Sequence, residues 1–164
     1  MRYLMDKFQE LYEQNYKKVY YYLKNLSSNN KIAEDLVQET FYKSLVYTST
    51  NKNVEINTAW LIKAAHNLFV DYLRRNKISL NELDENESRL ASFTSESDQK
   101  MDISNMLKKL PVRYKSLIIL KDYFGFSYDE ISEMFNCTQS AVKSALKRAR
   151  NNFKEVYETY GKYD

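Results

Sequence analysis

Apolar residues recur at three- and four-residue steps along most of this chain, and where the rhythm breaks the interruption is polar. Phe8, Leu11, Tyr12, Tyr16, Val19, Tyr20 and Leu23 draw one stripe along a first predicted helix, which the run SSNNK stops. A second helix is predicted in KIAEDLVQETFYKSLVY. There Ile32, Leu36, Val37, Thr40, Phe41 and Leu45 face inward, while Glu34, Asp35, Gln38, Glu39 and Tyr42 share another face. The polar stretch TSTNKNVEIN, from Thr48 to Asn57, reads as a loop. The segment TAWLIKAAHNLFVDYLRRNK follows as a third helix, with Asn57 or Thr58 as its N-cap and Leu61, Ala65, Leu68 and Tyr72 as its inward row. Lys63, His66, Asn67, Arg74 and Arg75 fall largely outside that row, and Trp60 lies near the helix start.

The periodicity lapses over residues 77–100, KISLNELDENESRLASFTSESDQK, which are rich in Ser, Asn and acid and read as a flexible linker. It resumes in MLKKLPVRYKSLIILKDYFGFSYDEISEMF. Pro111 suits a first helical turn, where a missing N–H costs nothing. Leu117, Ile118, Leu120 and Phe124 supply a buried side, and Gly125 ends the helix. Ser127 with Glu130 three residues on forms a capping box that opens a short helix with Ile131, Met134 and Phe135 inward. Asn136-Cys137-Thr138 makes a turn, and a last helix starts at Thr138 or Gln139. Helix, three-residue turn and second helix are the signature of the helix-turn-helix, whose second helix enters the major groove. Val142, Leu146, Ala149 and Phe153 space out one packed face of that last helix, so that Lys143, Ser144, Lys147, Arg148 and Asn151 project outward. No acidic residue occurs between Phe135 and Arg150, and the small residues Ser140, Ser144 and Ala145 suit a close approach to a groove floor.

Composition narrows the fold and the chemistry. Two Gly and one Pro in 164 residues leave few of the turn residues that sheets require, so the expectation is an all-α protein. It comprises two small helical domains, 1–76 and 101–164, joined by an acidic linker over 77–100. A single Cys allows no internal disulfide, and a single His allows no Cys/His zinc cluster. His66 has no partnered nucleophile or acid, and reads as a surface or cap residue rather than a base. Cys137 reads as a small packing residue. No catalytic residue, metal or cofactor is expected. No segment approaches the roughly 18 apolar residues of a membrane span, so a cytoplasmic protein without membrane insertion is expected.

The net charge of +3 is mild, but its distribution is not. Residues 1–76 carry 11 Lys and Arg against 8 Asp and Glu, residues 77–100 carry 3 against 6, and residues 101–164 carry 11 against 8. Two basic blocks therefore flank an acidic middle. The mixture of amide, cation and aromatic on the third helix suits melted or single-stranded nucleic acid, where bases stack on rings and phosphates meet Arg and Lys.

The motifs AEDLVQETF (Ala33 to Phe41), AWL with the later HN, D and LRR, LP followed by RYKSLIILKDYFGFSYDEISEMF, and TQSAVKSALKRAR occur in this order over nearly the whole chain. The chain resembles the extracytoplasmic-function sigma factors of bacterial RNA polymerase. That resemblance implies that domain 1–76 is sigma region 2 and domain 101–164 is sigma region 4. It implies that Glu34, Asp35, Gln38 and Glu39 dock on the clamp helices of the polymerase β′ subunit, and that region 4 meets the β flap. Lys63, His66, Asn67, Arg74 and Arg75 would face the −10 element, with the loop from Thr48 to Asn57 capturing a flipped base. Gln139, Ser140, Lys143, Ser144, Lys147, Arg148 and Arg150 would face the −35 element. The partners implied are core RNA polymerase, promoter DNA and an anti-sigma factor. The sequence departs from the family at Asn136, where Gly is usual, and at Ala145, where Arg is usual. A stand-alone helix-turn-helix regulator is the alternative reading, and an adaptor that binds only protein is a third. Neither needs both the AEDLVQETF face and the cations of the last helix.

Overall fold

The computed structural model describes residues 2–77 and 103–160, so the linker expected over 77–100 lies, apart from Lys77, outside the described residues. All regular structure among the described residues is helical, as the scarcity of Gly and Pro predicts. The chain divides into two compact units, Met1–Tyr72 and Leu73–Asp164.

In the first unit α1 (Arg2–Ser27) packs along α2 (Asn30–Thr50), and α3 (Thr58–Arg75) closes the core. Ser28 takes a left-handed conformation at φ 51, and the Asn29 side chain accepts a hydrogen bond from the Ile32 N–H to cap α2, so SSNNK is a stop and a restart in one turn. Val19, Tyr22, Leu23 and Leu26 of α1, Ala33, Leu36, Val37 and Phe41 of α2, and Leu61, Ile62, Ala65, Leu68 and Phe69 of α3 are buried. Phe41 takes the edges of Tyr12 and Phe8 at centroid distances of 4.8 and 6.4 Å. Such edge-to-face pairs favour a fixed crossing of α1 on α2 over a sliding one. Asn15, also buried, donates to the Leu11 carbonyl and accepts from the Thr58 hydroxyl, and so ties the start of α3 to α1. The stripe drawn on α1 shifts at its ends. Tyr12 is partly exposed, Tyr3, Leu4 and Met5 are exposed, and the burial deepens towards Leu26.

The loop after α2 is shorter than expected. α2 continues through Thr48, Ser49 and Thr50, because each of these hydroxyls donates to a carbonyl one turn back, as Thr48 does to Ser44 at 3.0 Å. The loop is therefore 51–57, and Asn57 rather than Thr58 caps α3 by accepting from the Trp60 N–H at 2.9 Å.

The second unit centres on one long helix. α4 (Ile103–Leu107), α5 (Val112–Ile118) and α6 (Tyr128–Phe135) all pack against α7 (Gln139–Tyr160). Pro111 stands at the N-cap of α5, not within its first turn. After Ile118 the chain widens into one π-helical turn, Ile119–Tyr123, in which the Phe124 N–H reaches the Ile119 carbonyl at 2.9 Å. Gly125 then reverses the chain at φ 74. The expected capping box is present: Ser127 accepts from the Glu130 N–H at 3.0 Å, and Glu130 accepts from the Ser127 N–H at 3.2 Å. Thr138 opens α7 by accepting from the Ala141 N–H. Val142, Ala145, Leu146 and Ala149 are buried under α5 and α6. Ala145 thus belongs to the packed face and does not line a groove-facing surface with Ser140 and Ser144. An arginine there would lie in the core, so the departure from the family pattern removes no outward donor.

Asn136 sits at φ 52, ψ 50 between α6 and α7, the left-handed region that costs an ordinary L-residue about 1–2 kcal/mol. Asn136→Gly should leave the melting temperature unchanged or raise it. Asn136→Val should cost about 1–3 kcal/mol in denaturant unfolding.

Candidate nucleic-acid interface

The outer face of α7 carries the cations expected of it. Gln139, Ser140, Lys143, Ser144, Lys147, Arg148 and Arg150 are all exposed, because the four buried positions of the helix take up its opposite side. Two of these residues make side-chain hydrogen bonds within the unit. Gln139 Nε2 donates to Asp129 Oδ1 of α6 at 3.2 Å, across the turn. Arg150 makes a bidentate pair with Asp122 of the π-helical turn, Nη2 to Oδ1 at 2.6 Å and Nε to Oδ2 at 3.1 Å. The pair is about half exposed, at 47% and 42%, so it contributes little to stability, about 1 kcal/mol or less. It raises the Arg150 pKa, chiefly through the hydrogen bond to Asp122, and it holds the guanidinium at one edge of the face.

A second cluster lies beside it that the linear pattern does not disclose. Lys121 Nζ stands 4.2 Å from the ring centroid of Tyr128, the first residue of α6, and donates to the Phe126 carbonyl at 3.1 Å. Lys143 Nζ of α7 stands 5.2 Å from the same ring. The three side chains come from three elements, so no spacing along the chain could have assembled them.

On α2 of the first unit Glu34, Asp35, Gln38 and Glu39 are exposed while Ala33, Leu36, Val37, Thr40 and Phe41 of the same helix are buried. Among the described residues no cation pairs with Asp35 or Glu39. Tyr42 extends this face at 67% exposure. Beside it Tyr12, Tyr16 and Tyr20 form a ladder on α1, Tyr16 stacking on Tyr20 at 6.0 Å. Partial burial, and then the neighbouring Tyr12 and Glu34, push the Tyr16 pKa upward.

On α3 the expected set divides. Asn67, Arg74 and Arg75 are exposed and Lys63 is half-buried. His66 is not on that face. It is 4% exposed, and its Nδ1 shares a 2.8 Å hydrogen bond with the Tyr22 hydroxyl of α1. The reading of His66 as an outward residue is therefore corrected: one turn separates it from Ile62 and another from Val70, and that side of α3 faces α1. Trp60, which could be read as a stacking platform or a core ring, is half-buried with its ring 5.3 Å from Tyr47. A cleft of about 280 Å³ opens between α1, the end of α2 and the 51–57 loop, lined among others by Tyr3, Phe8, Thr48, Lys52 and Val54. Among the described residues there is no group of three acidic, His or Cys side chains placed to hold a metal, and no helix long and apolar enough to cross a membrane.

The family models for sigma-70 region 2 and sigma-70 region 4 match residues 11–78 and 100–152. The RNA polymerase sigma factor SigV of Bacillus subtilis is 31% identical over 135 residues, 82% of this chain and 78% of that protein. This chain belongs to the extracytoplasmic-function sigma factors. The sigma factors YlaC and SigM of the same organism are 28% and 27% identical and extend the likeness to 92% and 90% of this chain, covering 91% and 93% of theirs. The solved structure of the sigma factor RpoE of Bartonella quintana, in complex with the anti-sigma factor NepR, shares the fold at a TM-score of 0.67 and 22% identity, over 92% of this chain and 96% of that one. The protein is a promoter-recognising sigma factor of a regulatory, non-enzymatic family, and the stand-alone regulator is not favoured.

The burial of His66 separates a packing position on α3 from the exposed ones beside it. His66→Ala should destabilise the first unit by about 1–3 kcal/mol, through a lost hydrogen bond and a cavity, as measured by denaturant unfolding. Asn67→Ala, one residue on at an exposed position, should leave stability within about 0.5 kcal/mol.

Proposed function

We propose that this sigma factor docks on the β′ clamp helices of core RNA polymerase through Glu34, Asp35, Gln38 and Glu39, and that region 4 meets the β flap. The observation that carries this reading is the segregation on α2. Four polar residues, three of them acidic, are exposed on a helix whose other side is core, within a unit of net positive charge. Exposed carboxylates without cationic partners retain their capacity to pair with a basic surface, and complementary charge steers the encounter.

The division of labour assigns the −10 element to region 2, residues 1–76, and the −35 element to region 4, residues 101–164, with 77–100 as the tether. Lys63, Asn67, Arg74 and Arg75 of α3 hold the opened strand, and the 51–57 loop beside the cleft captures an unpaired base at a cost of a few kcal/mol for unstacking. The exposed face of α7 enters the major groove of the −35 duplex. Lys143, Lys147 and Arg148 supply phosphate contacts and base-edge donors there, each good bidentate base contact being worth about 1–3 kcal/mol of discrimination. A surface of four or five cations binds DNA in a salt-sensitive manner, so affinity and register come from the polymerase holding both readers at a fixed separation. The protein acts in the cytoplasm, where its polymerase is, without cofactor or catalytic chemistry of its own. An anti-sigma factor is the expected antagonist, by analogy with the Bartonella sigma factor bound to one.

Two measurements test the reading. The double variant Asp35→Lys with Glu39→Lys should weaken binding to core polymerase at least about tenfold in an anisotropy titration, with unchanged circular dichroism and melting temperature, because attraction becomes repulsion. Unchanged binding would remove the face from the interface. Transcription by core polymerase plus this protein on a randomised promoter library should enrich a bipartite motif. Initiation without any enriched motif would overturn the promoter-reading assignment.

A further inference from the structure

We propose that Tyr128 is a positioning residue for DNA, holding Lys121 and Lys143 as a preformed site for a backbone phosphate at the edge of the −35 reading face. The inference rests on the reading of the outer face of α7 as the DNA face, and adds to it a residue and a site on two other elements.

Tyr128 is half-buried, and its backbone is fixed by the capping box immediately before it, so its ring is a stationary platform. Two ammonium groups lie within 5.2 Å of its centroid, Lys121 from the π-helical turn and Lys143 from the first turns of α7. The negative face of an aromatic ring attracts each of them. Two like charges gathered on one ring repel each other, however, and an anion shared between them relieves that repulsion. The attraction to the ring leaves ammonium N–H donors available, since Lys121 spends one on the Phe126 carbonyl and the ring itself accepts no conventional hydrogen bond.

The π-helical turn has a part in this arrangement. It presents consecutive residues in opposite roles, Lys121 over the Tyr128 ring and Asp122 on Arg150. Asp122 draws the Arg150 guanidinium to its own side, Asp129 takes the Gln139 amide, and among the described residues neither carboxylate pairs with Lys121 or Lys143. Lys121 and Lys143 therefore keep their charge for an external anion. In a helix-turn-helix the first helix crosses the DNA backbone while the second enters the groove, so the first residue of α6 and the start of α7 are where a phosphate passes.

Holding a lysine in advance matters because ordering a free one on binding costs side-chain entropy. The ring absorbs part of that cost in the free protein. Arg150, at the far side of the cluster, has its pKa raised chiefly by Asp122 and to a smaller degree by Tyr128, consistent with the phenol lying among all three cations.

The test uses the full chain bound to core polymerase and a −35 duplex labelled for anisotropy, with four proteins carrying Tyr128→Leu, Tyr128→Phe, Lys143→Ala or the Leu and Ala changes together. Tyr128→Leu should weaken DNA binding roughly threefold, Tyr128→Phe should restore most of it because the ring is retained, and both should melt as the parent does. The double variant should be clearly weaker in effect than the product of the two single changes, because Tyr128 acts through Lys143. A structural role alone would give additive losses and no rescue by Phe, and would overturn the proposal. Loss with Lys143→Ala but none with Tyr128→Leu would overturn it while leaving the DNA face of α7 intact. Unchanged binding in both would overturn the reading of that face as well.

Discussion

The small side chains of Ala145 and Ala149, buried together with Val142 and Leu146, are the constraint on which the second unit depends. Each lacks the bulk that would hold a neighbouring helix at arm's length, so α5 and α6 can both press on α7 along one stripe. Helices α4 to α6 have 5, 7 and 8 residues, too short to be stable alone, and their order is borrowed from that contact. Once one side of α7 is committed to packing, the other side must be solvent or partner. Lys143, Lys147 and Arg148 are carried outward by the 3.6-residue repeat and by nothing else.

The first unit obeys the same logic with opposite charge. Phe41, Leu36 and Val37 bury one side of α2 against α1, and Glu34, Asp35, Gln38 and Glu39 are left outside as a result. Its polar interior is economical. Asn15 joins α1 to α3, and Tyr22 joins α1 to His66, so two hydrogen bonds between side chains pin the rotation of α3 about its own axis. That rotation decides which residues of α3 face outward: a turn of one residue would bring His66 out and take Asn67 in. Region 2 thus sets its candidate DNA face through buried bonds, and region 4 sets its own through buried alanines.

Turns supply the remaining geometry. The capping box at Ser127 and Glu130 and the left-handed Asn136 bound α6 at both ends, and the Thr138 cap starts α7 within three residues. So short a connection fixes the crossing of α6 and α7 and places Tyr128 against Lys143. The π-helical turn is less regular, and it is there that Lys121 and Asp122 are turned towards α6 and α7. Irregular backbone beside a candidate interface accords with the tendency of π-helical turns to occur at functional sites.

The sequence by itself determined the all-α class, six of the seven described helices, the capping box at Ser127 and Glu130, and the helix-turn-helix. Each of these follows from local spacing and hydrogen bonding within a few residues. It also determined which faces of α2 and α7 are charged, because periodicity reports amphipathicity directly. Tertiary structure decided the rest. His66 and Ala145 stand at positions that the periodicity leaves marginal, and only the approach of α1 and of α5 and α6 took them inside. The end of α2 moved because three hydroxyl side chains found carbonyls a turn back, where their composition had suggested a loop. The cluster of Lys121, Tyr128 and Lys143, with Asp122 on Arg150, had no signal along the chain, since its members are brought together by packing between elements.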